Sequence, residues 1–86
     1  MPEISRFFGI AIKMFFNDHQ PPHFHAEYGD DKAVFDIRNL VVINGSLPSR
    51  ALGLVVEWAS QHQAELLDLW ERASNQQELY KVPPLK

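Results

Sequence analysis

His23-Phe24-His25-Ala26-Glu27-Tyr28-Gly29-Asp30-Asp31-Lys32-Ala33-Val34-Phe35-Asp36-Ile37-Arg38 is the stretch that decides the fold of this chain. Its first six residues alternate, with His23, His25 and Glu27 to one side and Phe24, Ala26 and Tyr28 to the other, which is the period of a strand. Gly29-Asp30-Asp31 is a hairpin turn signal. Beyond it Ala33, Phe35 and Ile37 face one way and Lys32, Asp36 and Arg38 the other, so a strand over 32–38 returns antiparallel to the first.

Working outward, residues 5–17 read as one long strand. Phe8, Ile10, Ile12, Met14 and Phe16 give it a wholly apolar face, and Phe7, Gly9, Ala11, Lys13 and Phe15 a mixed one. Asn17 and Asp18 begin a turn, and neither Pro21 nor Pro22 has an N–H with which to extend a ladder. Residues 40–43 form a short fourth strand closed by the turn pair Asn44-Gly45. From Pro48 the period changes to that of a helix. Leu52, Val55, Val56, Ala59, Leu66, Leu67 and Trp70 make one stripe, with Glu57, Gln61, Glu65, Asp68 and Arg72 opposite. Gln63 interrupts the stripe and predicts a bend or a polar contact. Pro48 suits the first helical turn, and capping is the role expected of Ser46 and Ser49. After Asn75 the helix fades into an extended tail over 79–85. The architecture expected is therefore α+β: a single domain over 1–86, a mainly antiparallel sheet of three to four strands, one long C-terminal helix and an extended tail.

Composition narrows the function. With 86 residues there is room for one compact core, and 45% hydrophobic with 22% charged residues is a globular balance. Cysteine is absent, which excludes disulfides, thiolate metal sites and thiol catalysis. No transmembrane-length apolar run or signal peptide is evident, so a cytoplasmic location is the default expectation. A net charge of −3 argues against a general nucleic-acid binder, although Arg6, Lys13, Lys32, Arg38 and Arg50 could form a local patch.

Three of the four histidines fall within seven residues, beside Asp18 and two prolines. His19, His23, His25, Asp18 and Glu27 are the candidate site, with Arg6 as a nearby cation. Imidazoles and carboxylates together can bind a metal, hold an anionic ligand or nucleotide, shuttle protons, or fix a loop as a polar network. Side chains two apart on a strand stand roughly 7 Å from each other, so a shared ion needs inward rotamers. On that ground no metal and no cofactor is expected. His62 reads as a half-buried structural histidine. Leu54, Trp58 and Leu69 widen the helix's apolar surface beyond what one small sheet covers. They are candidates either for burial by the tail or for an interface with a partner or a second copy of the chain, a homodimer.

Pro2-Glu3-Ile4-Ser5-Arg6-Phe7-Phe8-Gly9-Ile10, the Asp18-His19 and Pro21-Pro22-His23-Phe24-His25 motif, Leu47-Pro48, Glu57-Trp58-Ala59 and Val82-Pro83-Pro84-Leu85 together resemble the small bacterial domain-of-unknown-function family numbered 4160. Members of that family commonly neighbour a second small gene, of the family numbered 2442, in arrangements resembling toxin–antitoxin or mobile-element modules. The resemblance brings no catalytic residue. It implies a non-enzymatic component of a two-gene module, acting by protein–protein contact with the neighbour's product. A histidine-dependent ribonuclease toxin and a small-ligand or nucleotide-binding protein are the alternatives. The ribonuclease reading needs cationic stabilisation of the phosphate, and no basic run adjoins the histidines.

Overall fold

The computed structural model describes residues 3–86. Five strands, β1 (Glu3–Phe7), β2 (Ile10–Lys13), β3 (His23–Tyr28), β4 (Asp31–Asp36) and β5 (Val42–Gly45), form one antiparallel sheet in sequence order. Two helices follow, α1 (Ser49–Ser60) and α2 (Gln63–Ser74). The α+β class agrees with the sequence reading, while the strand and helix counts differ from it.

The expected single strand over 5–17 is a hairpin. Phe8 and Gly9 both adopt left-handed backbone, with φ of 49° and 80°, which matches a tight two-residue hairpin turn. Phe7 therefore pairs with Ile10, both side chains enter the core, and Phe8 is 60% exposed at the tip. Phe16, expected on the apolar face, is also exposed, because the strand ends at Lys13.

The β3–β4 hairpin runs as the alternation predicts. Phe24 pairs with Phe35 and Ala26 with Ala33 on the buried face, and His25 pairs with Val34 on the other. The phenyl rings of Phe24 and Phe35 stack 5.2 Å apart, and Trp58 meets Phe24 edge-on. Pro22 cannot donate, but its carbonyl accepts from Ile37 N–H at 3.0 Å, so the pairing continues one step past β3.

The fourth expected strand is shifted in sequence. Asp36 Oδ1 accepts from the N–H groups of Arg38 and Asn39, and Leu40 takes a φ of 54°. These bonds build the turn through residue 40, so pairing resumes at Val42, and Asn44 and Gly45 lie within β5 rather than closing it. Gly45 is needed at its position: its φ is 73°, and a Cβ there would collide with the Lys32 carbonyl oxygen.

One long helix was the expectation, and the chain breaks it at Gln61–His62. The N–H groups of Gln61 and His62 bond back to Trp58 and Ala59 in tightened turns. The Gln63 side chain donates to the carbonyls of Ile37 (3.0 Å) and Arg38 (3.2 Å), which ties the start of α2 to the β4–β5 turn. That tie accounts for a polar residue on the apolar stripe. Each helix still buries one face: Ala51, Val55, Trp58 and Ala59 from α1, and Leu66, Leu69, Trp70 and Ala73 from α2. Pro48 stands at the N-cap of α1 and no side chain caps it, so the expected capping by Ser46 or Ser49 is not made.

The tail closes the core. Val82 N–H donates to Ile4 O at 2.8 Å, and Trp58 Nε1 donates to Pro83 O at 2.8 Å. Val82 and Leu85 are buried, as are Trp58 and Leu69, while Leu54 is half-buried. Of the two readings of the apolar surplus, cover by the tail or an interface, burial favours the first: Trp58 and Leu69 are core, and the tail lies over Trp58.

Candidate functional site

The site lies at the start of β3, beside the loop that joins β2 to β3. Asn17, with a φ of 59°, turns the chain, and its Oδ1 accepts from Gln76 Nε2 just past α2. Asp18 follows, then the Gln20–Pro21 peptide bond, which is cis. Asp18 Oδ1 accepts from the His19 N–H at 3.1 Å, leaving Oδ2 to face the histidines.

His23 and His25 turn their rings toward each other, with centroids 5.3 Å apart, so the inward rotamers that strand spacing made a requirement are adopted. Asp18 Oδ2 lies 2.8 Å from His23 Nε2 and 3.4 Å from His25 Nε2. His23 Nδ1 lies 2.7 Å from Pro21 O. A carbonyl only accepts, so that nitrogen carries the proton and donates. The His23 ring is 5% exposed and packs on Trp70 at 4.9 Å, and Phe15 meets the His25 ring edge-on at 4.5 Å. The Trp70 indole N–H is buried and has no acceptor among the described residues.

Burial pushes the Asp18 carboxyl up. The hydrogen bonds from His23 and His25, the charge of His23 and the His19 N–H outweigh it and hold the group below the ordinary carboxylate range. Asp18, His23 and His25 thus form a unit. The other candidates do not join it. His19 is a neighbour with its side chain 93% exposed. Glu27 shares the sheet face but is taken by Lys13 Nζ at 2.9 Å, and that bond holds its carboxyl low. Arg6 pairs with Glu3, so the patch of Arg6 and Lys13 is largely neutralised. His62 is bonded to Glu65 and packs on Trp58, which is a structural role.

The histidines open onto a depression of about 280 Å³ whose far wall is Val34, Ile43 and Asn44. A second depression of about 260 Å³, toward Lys32 and Glu27, shares His25, Val34 and Asn44 with it, so the two make one trough over β3, β4 and β5. Phe15, Trp70, Ile43 and Asn44 were missed by sequence reasoning. Only the register, with Val34 between His25 and Asn44, brings β5 to the site. Among the described residues, no lysine or arginine lines the depression at the histidines.

A five-stranded antiparallel meander backed by two helices, with an aspartate and two histidines converging at one strand end, defines the class of this protein. The chain belongs to the family described as Domain of unknown function (DUF4160), whose model matches residues 9–71 of the 86. Comparisons with curated proteins and with solved structures found no match.

Proposed function

We propose that this protein is a non-enzymatic binding component of a bacterial two-gene module, and that it pairs an extended segment of the neighbouring gene's product along β5. The asymmetry of the two sheet edges carries this reading. At the β1 edge the chain's own tail donates to Ile4 O. At the other edge every residue of β5 is exposed, including Val42 and Ile43, and Val41 beside them is 51% exposed. Open edges in natural proteins are normally blunted by charge, proline or a covering element. Residues 41–45 contain no charged residue and no proline. An apolar, β-branched edge of this kind suits main-chain pairing with a partner strand.

The ribonuclease alternative has less support. A phosphodiester at the histidines would meet the Asp18 carboxylate, with no lysine or arginine among the residues lining that depression.

The test is co-expression with the neighbouring gene, followed by size-exclusion chromatography with light scattering. The wild-type chain should elute as a hetero-complex, and Ile43→Lys should elute alone with an unchanged far-ultraviolet spectrum. A complex that survives Ile43→Lys, or a wild-type chain that never binds the neighbour's product, overturns the proposal.

A further inference from the structure

Asp18, His23 and His25 present one oxygen and two nitrogens that all lie within 4.8 Å of one another. We propose that they form a binding site for a divalent first-row transition ion, zinc in the simplest case, ligated by Asp18 Oδ2, His23 Nε2 and His25 Nε2.

Geometry is the first support. Zinc bonds to imidazole nitrogen and carboxylate oxygen at about 2.0–2.2 Å, which puts ligand atoms around a tetrahedral ion roughly 3.4 Å apart. The carboxylate oxygen stands 2.8 and 3.4 Å from the two nitrogens, and no two of the three atoms are more than 4.8 Å apart, so the set lies near the spacing such an ion requires. Orientation is the second. His23 Nδ1 donates to Pro21 O, and a ligating histidine normally donates its other N–H to a carbonyl or carboxylate in this way. That bond leaves His23 Nε2 as the ring nitrogen that faces the Asp18 carboxylate oxygen.

The supporting shell is built as well. Trp70 and Phe15 hold the two rings, and the His19 N–H occupies Asp18 Oδ1, so the carboxylate offers Oδ2 alone. The three ligands come from one side, and the remaining positions open onto the depression bounded by Ile43 and Asn44. Three protein ligands with an open position are the pattern of a site that takes water or a further ligand, not of a closed structural centre. The donor set, two imidazoles and a carboxylate without sulfur, suits zinc, iron(II), nickel or cobalt ahead of calcium or magnesium.

The experiment uses the untagged full chain, stripped of metal and titrated with zinc by calorimetry and with cobalt by visible absorption. One ion per chain is expected, with cobalt bands typical of a four- or five-coordinate nitrogen–oxygen site. Asp18→Asn and His25→Gln remove ligands and should each weaken binding by at least the roughly 10–100-fold that loss of an outer-shell partner costs. His19→Gln, which changes an exposed neighbour, should weaken it less than about 3-fold, within ordinary context scatter. Imidazole nitrogen NMR keeps the test decisive if a variant folds poorly: in the wild-type chain the Nε2 resonances of His23 and His25 should shift together at one zinc equivalent, with both Nδ1 resonances retained. Absence of stoichiometric binding overturns the proposal, because a proton alone then bridges the cluster. Weak binding lost equally in His19→Gln also overturns it, as surface-histidine affinity only.

Discussion

Replacing Val82 with alanine tests whether the tail is an integral part of the core. Val82 is 2% exposed, sits in the main buried cluster, and its N–H is bonded to Ile4 O at the β1 edge. The substitution keeps that backbone bond and removes two methyl-sized groups. At about 0.8 kcal/mol per buried carbon, the transfer contribution is about 1.6 kcal/mol, and incomplete collapse of the space left behind raises the cost to as much as roughly 2.5 kcal/mol. In a domain of this size each kcal/mol lowers Tm by about 4–8 °C, so a fall of roughly 6–20 °C is expected. Urea unfolding followed by tryptophan fluorescence gives the free energy, and an unchanged m-value shows that the same surface is being exposed. Lys81→Ala, at the exposed neighbouring position, should stay within about 0.5 kcal/mol of wild type. If Val82→Ala and Lys81→Ala are indistinguishable, the tail only rests on the surface. The burial of Trp58 would then need another explanation, and the interface reading of Trp58 would return.

Gln63→Leu should destabilise by about 1–2 kcal/mol despite improving the apolar stripe, because the Ile37 and Arg38 carbonyls lose their donor; an increase in the urea midpoint would show that the tie does not set the break between α1 and α2. Gly45→Ala should cost about 2 kcal/mol or more, since it combines left-handed backbone with a collision at the Lys32 carbonyl. Amide exchange should quicken first along β4 and β5, and uniform protection would contradict this. On acidification, Glu3, Asp18 and Glu27 begin from carboxyls held below their ordinary values by their partners. A depressed folded-state value means the stabilisation is complete above the unfolded value of about 4 and is lost as pH falls through the lower folded values. The urea midpoint should therefore fall as the pH is lowered from about 4 downward. A constant midpoint across that window would show that these carboxylates make no net contribution.

The sequence by itself determined the parts that depend on neighbours along the chain. Period-two alternation and Gly29-Asp30-Asp31 specify the β3–β4 hairpin, because side-chain direction and turn conformation are local properties. The change of period after Pro48 likewise announces helix, and the clustering of His19, His23 and His25 marks the site. A local feature also escaped: Phe8 at positive φ is uncommon for a bulky residue, and unbroken apolar alternation hid the turn it makes. Tertiary structure decided the rest. The helix break depends on carbonyls of Ile37 and Arg38, the burial of Trp58 on Pro83, and the opening of the histidine site on the register that brings in β5. Whether His23 and His25 diverge at strand spacing or converge on Asp18 is a choice of rotamer. Packing against Trp70 and Phe15 and the hydrogen bond to Pro21 make that choice, and none of these contacts can be read from the period of a strand.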